Sequence, residues 1–122
     1  MKKSLFVLFF VMTLFVYNPA RAVFVEGLED MPLPDGVAQI ENGSLSFGNE
    51  EIRLFETYFS SEKKSFKEIK KFYEDTLPQM GWVRKKRTEQ TILFERDGET
   101  LEISEESKKP LILRLIVKSK AQ

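Results

Sequence analysis

The residues most able to do chemistry in this chain are carboxylates, and they fall in two adjacent pairs, Glu50–Glu51 and Glu105–Glu106. Paired acids could hydrolyse a glycosidic bond, one donating a proton while the other acts as nucleophile or base. Neighbours in an extended segment point to opposite sides, and both pairs sit in polar connections. A working acid also needs a pocket that raises its pKa. The chain contains no His and no Cys, which removes Ser-His-Asp and Cys-His chemistry, thiolate metal sites and disulfides. Ser60, Ser61 and Ser65 lie near Lys63 and Lys64, but Ser–Lys catalysis needs a buried lysine, and these read as exposed. Asp97-Gly98-Glu99 is a turn fragment, far short of a calcium loop, and no glycine-rich phosphate loop exists. These residues predict no enzyme, no metal and no cofactor.

The cations are the more informative chemistry. Lys+Arg and Asp+Glu both number 19, so the formal charge is zero. That neutrality conceals three blocks. Residues 23–62 hold one basic and nine acidic residues, 63–87 hold nine basic and three acidic, and 88–122 hold six basic and seven acidic. The central block carries the candidate binding residues Lys63, Lys67, Lys70, Lys71, Arg84, Lys85, Lys86 and Arg87. Lys63, Lys64 and Lys67 stand at a helix start and Glu74 and Asp75 toward its end, both against the helix macrodipole. Such a breach of a local rule points to a use outside local folding. The basic surface fits anionic lipid headgroups, another envelope polyanion or an acidic protein. Residues 23–122 hold 16 basic and 19 acidic residues, and an exported domain of that net-acidic charge does not fit nucleic acid, despite the run Arg84-Lys85-Lys86-Arg87.

Hydrophobic periodicity supplies the elements that must position these groups. Val37–Ile40 and Ser44–Phe47 are short strand candidates around the turn Glu41-Asn42-Gly43. Glu51–Ser60 alternates as a strand, with Ile52, Leu54 and Tyr58 on one side and Phe55 and Phe59 on the other. Phe66, Ile69, Tyr73, Leu77 and Met80 then form a helical stripe, with Ser65 and Glu68 at capping-box spacing. Residues 63, 67, 70 and 71 are expected on the side away from that stripe. After Gly81 a period of two returns over Trp82–Lys85, Thr91–Arg96, Thr100–Ser104 and Leu111–Val117. Asp97-Gly98 marks a hairpin and Glu105–Pro110 a polar connection. The expected fold is α+β: one amphipathic helix packed on an antiparallel sheet of about four or five strands, in the order strand, helix, three-strand meander. Leu111, Leu113, Leu115 and Val117 should face the helix. Phe55, Phe59, Ile112 and Ile116 should lie on the opposite face, covered by an arm or a partner.

The N-terminus reads as an export signal. Met1-Lys2-Lys3-Ser4 is basic, Leu5–Tyr17 is uncharged and apolar, and Ala20-Arg21-Ala22 has the form of a cleavage site. The apolar run is shorter than the ~20 residues a membrane span needs. The expected organisation is a signal peptide over 1–22, an extended arm over 23–36 and one α+β domain over 37–122, with no membrane span after cleavage.

The segment Phe72–Trp82 reads F-Y-x-x-T-L-P-x-x-G-W. It resembles a group of small exported bacterial proteins in which a helix ending this way is followed by a β-meander. The resemblance covers roughly 51–117 and implies a fold; it transfers no catalytic or binding residue. Tyr73, Leu77 and Met80 belong to the buried stripe, Pro78 stops the helix, Gly81 allows a left-handed turn and Trp82 packs beneath it. Together these observations predict a periplasmic or secreted, non-enzymatic binding protein. The alternatives are a small subunit or assembly factor of an envelope complex and, from a different class, a carboxylate hydrolase.

Overall fold

A computed structural model describes residues 23–41, 43–48 and 53–119. The expected signal peptide, Asn42 of the expected turn, the Glu50–Glu51 pair and Ile52 lie outside the described residues. The elements are β1 (Phe24–Val25), β2 (Leu28–Pro32), β3 (Val37–Gln39), β4 (Leu45–Gly48), β5 (Arg53–Ser61), α1 (Phe66–Thr76), a 3-10 turn (Leu77–Met80), β6 (Val83–Arg87), β7 (Thr91–Arg96), β8 (Glu99–Lys108) and β9 (Leu111–Ser119). β1 and β2 form a separate hairpin. The rest make a seven-stranded sheet ordered β3-β5-β9-β8-β7-β6, with β4 also paired to β5. Its pairings are antiparallel. No helix among the described residues is long and apolar enough to cross a membrane.

The expectation of one helix on four or five strands is overturned: the fold is β-rich, with seven strands in the main sheet and two more in the hairpin. Three causes account for the difference. β3 and β4 pair with opposite halves of β5, so one edge is shared by two short strands. The expected three-strand meander has four strands, because β6 pairs with β7 at the far edge, and β8 runs on through the expected polar connection to Lys108, absorbing an irregularity between Glu105 and Ser107. The arm folds back as β1–β2, with Pro32 at the strand end where a missing N–H costs least.

Register assigns the two faces. Phe55 pairs with Val117, Val117 with Leu101, and Leu101 with Phe94; Thr57, Leu115, Ile103 and Ile92 form the next row. All eight are buried. Helix residues Phe66, Ile69, Tyr73 and Leu77 join them in one core, together with Trp82. The arm extends the same layer through Val25, Leu28 and Met31, and the Tyr73 hydroxyl donates to the Pro32 carbonyl at 2.7 Å. Gly27, at φ +96°, lets the arm cross the Phe55 ring so closely that a Cβ there would lie 2.5 Å from it.

Phe55 and Phe59 therefore lie on the helix side, whereas the sequence reading placed them on the other. Ile112 and Ile116 do lie opposite the helix, and they share that face with Leu54 and Tyr58. β5 is apolar at both parities, so alternation alone could not orient it. Its pairing with β9, whose Leu113 and Leu115 are buried, decides.

Candidate anion-binding surface

The basic block begins at a capped helix. The Ser65 hydroxyl accepts from the Glu68 amide at 3.2 Å, and the Glu68 carboxylate accepts from the Ser65 amide at 3.0 Å. The Ser65 amide holds the Glu68 carboxyl below its ordinary value, opposed by some desolvation and aided by the Ser65 hydroxyl and nearby Lys64. Ser61 ends β5, accepts from the Lys63 and Lys64 amides and donates to the Gly36 carbonyl. At the other end Gly81 takes φ +92° and donates to the Leu77 and Pro78 carbonyls, which is the left-handed stop expected of the helix-end motif. Arg96 locks this corner. Its guanidinium lies 4.2 Å from the Trp82 ring centre and donates to the Met80 carbonyl and the Asp30 carboxylate, both at 2.8 Å.

The eight candidate cations do not form one solvated patch. Lys70 is the main correction. It was expected on the exposed side of the helix, yet it is 5% exposed and belongs to the buried face with Phe66, Ile69 and Tyr73. Its ammonium donates to the Thr88 and Glu89 carbonyls, each at 2.8 Å, and lies 4.7 Å from the Phe66 ring centre. Burial, then the Arg87 guanidinium, pulls the Lys70 ammonium below its ordinary value; Glu105, Glu89 and Glu74 oppose this. Lys70 thus clamps the helix to the β6–β7 turn.

Arg84 and Arg87 also face the helix, because they pair with Phe94 and Ile92. Both reach Glu74, at 2.8 and 3.4 Å. They answer the unfavourable position of Glu74 at the helix end, as Lys71 does for Asp75 at 3.3 Å. Lys85 falls at a register shift in β6, and Lys86 pairs with Leu93 on the open face. Lys63, Lys67, Lys71, Lys85 and Lys86 are exposed.

The structure brings Lys67, Lys70 and Arg87 to one groove of about 490 Å³, floored by Phe66, where Lys108, Glu89 and Glu105 complete the charged lining. Lys63, Lys71, Arg84, Lys85 and Lys86 lie outside it. Lys108 was missed because Glu105–Pro110 reads as a loop; only the long β8 carries it beside the helix. Lys108 and Glu105 meet weakly, at 3.8 Å. A wider cleft of about 560 Å³ involves Glu26, Gln39 and Ser44. Its amide is already engaged, since Gln39 donates to the Glu26 carbonyl and the buried Thr57 hydroxyl. Among the described residues no three His, Cys, Asp or Glu side chains come together to hold a metal.

The chain matches no protein-family model, no curated protein and no solved structure.

Proposed function

We propose that this chain is a non-enzymatic cell-envelope protein that works by binding an anionic partner. The observation that supports the reading is the split of the basic block. Lys70, Arg84 and Arg87 hold the helix to the sheet, with Lys70 and Arg87 also lining the groove. Lys63, Lys67, Lys85 and Lys86 are exposed and make no ion pair among the described residues, so their charge is available to a partner. Vesicles containing anionic lipid provide the test. Sedimentation with them should weaken as salt rises from about 0.05 to 0.5 M, where the Debye length falls well below ~10 Å. Reversing Lys63, Lys67 and Lys86 to Glu should abolish it with the fold intact. Binding that ignores both salt and charge reversal would end the reading.

The uncovered sheet face favours a second reading, a small subunit or assembly factor of an envelope complex. Leu54, Tyr58, Leu93, Ile112 and Ile116 are half-buried there, flanked by Leu45 and Val83, which are 50% and 57% exposed. In that case Ile116→Glu, rather than lysine reversal, removes the interaction. Export also belongs to the proposal, and mass spectrometry of the mature protein should find Val23 at its N-terminus.

A further inference from the structure

We propose that the groove between the first turn of α1 and the β6–β7 turn binds a single phosphomonoester group. This deepens the anionic-partner reading and rests on it. The groove has four cations, Lys67, Lys70, Arg87 and Lys108, against two carboxylates, Glu89 and Glu105. The excess of two positive charges matches one phosphomonoester, which carries about −1.5 to −2 at neutral pH. It does not match a long polyanion, which the carboxylates would repel.

Donors remain available around the groove. An ammonium has three N–H groups, and Lys70 commits two of them to the Thr88 and Glu89 carbonyls. Arg87 meets Glu74 through Nε at 3.4 Å, a long ion pair, and also lines the groove. Lys108 keeps one long contact with Glu105, and Lys67 has no ion pair among the described residues. A guanidinium fork with neighbouring ammonium groups is a donor set suited to tetrahedral oxyanions. Phe66, nearly buried, adds an apolar side chain to the lining, and charge-assisted bonds are stronger beside apolar surface. Arg87 is close enough to disfavour the charge on Lys70, and an oxyanion bound between them would relieve it.

The test is calorimetric titration of the intact protein with inorganic phosphate at low salt, with acetate as the competing oxyanion. Saturable one-to-one binding is expected. The double variant Lys67→Gln/Lys108→Gln should weaken it by about tenfold or more. Lys109→Gln/Lys118→Gln, exposed and outside both the groove and the basic block, should leave it within about twofold. Arg87→Gln should also weaken binding, with a thermal melt to establish that it folds; the exposed double variant decides if it does not. A second arm uses vesicles carrying phosphatidic acid. Vesicle binding displaced by inorganic phosphate identifies a lipid phosphate as the source, whereas phosphate binding without vesicle binding identifies a soluble phosphomonoester. No saturable phosphate binding, equal loss in both double variants, or acetate binding as tightly would overturn the assignment. If phosphate fails while vesicle binding still depends on Lys63 and Lys86, the groove is wrong and the anionic-surface reading survives.

Discussion

The two faces of the seven-stranded sheet are built from the same strands and behave as different materials. On the helix side, Leu115 stands between Thr57 and Ile103, all fully buried. One residue along β9, Ile116 stands between Glu56 and Glu102 on the open side and is only half-buried. The open face mixes apolar side chains with charge, including the Arg114–Glu56 pair, in which the hydrogen bond to Glu56 raises the Arg114 value further despite some desolvation. Charge enters the helix side at its margins, as Arg84, Arg87 and Glu105, where the helix ends or leaves a groove. The difference teaches that a sheet face becomes a core where apolar strand residues and a cover coincide. The helix and the arm together supply it on one side.

The sharpest way to break this comparison is to truncate adjacent residues of one strand. Leu115→Ala should cost about 2–5 kcal/mol, because it empties a fully buried site. Ile116→Ala should cost less than about 1 kcal/mol, since a half-buried site loses less apolar contact. Urea melts giving equal losses would mean that the open face is covered in solution. Next in size is the clamp. Lys70→Met keeps most of the apolar stem and loses two charge-assisted hydrogen bonds, so about 1–3 kcal/mol should disappear. Lys67→Met on the exposed side should change stability by less than about 0.5 kcal/mol.

The arm should respond more weakly. Asp30→Asn removes the half-exposed ion pair with Arg96 and should cost about 0.2–1 kcal/mol. Amide exchange should quicken in 28–32 before it quickens in β8 or β9, because the hairpin pairs with no other strand. The smallest effect belongs to the cap. Glu68 has a folded pKa below its unfolded value, so its contribution is complete above the unfolded value and fades as pH falls through the folded one. Amide exchange in the first helical turn should rise in that acid window, and Glu68→Gln should flatten the response.

Much of the core was legible because it follows from local period. Phe66, Ile69, Tyr73 and Leu77 repeat at helical spacing, and all four are buried. Ser65 and Glu68 form the cap their spacing suggests, and Gly81 takes the left-handed turn. Lys70 lies beyond what local period can place. It sits beside Ile69 on the boundary of the apolar stripe, and a lysine at such a boundary is ordinarily solvated. Its burial depends on two carbonyls from the β6–β7 turn, 18 and 19 residues away. The groove was equally hidden, since Lys108 reaches it through a strand that Glu105–Pro110 gives no local reason to expect.

The amino-acid sequence by itself determined the helix and its ends, the Asp97-Gly98 hairpin, and the inward face of β9. Each of these follows from backbone preferences and side-chain period within a few residues. Only the tertiary structure decided which face of β5 is inside, that β3 and β4 share one edge, that the arm belongs to the core, and which cations are clamps and which are free. These depend on register and on contacts between distant segments. A strand apolar on both sides, or a lysine at the edge of a stripe, has two acceptable local states, and the partner across the sheet selects between them.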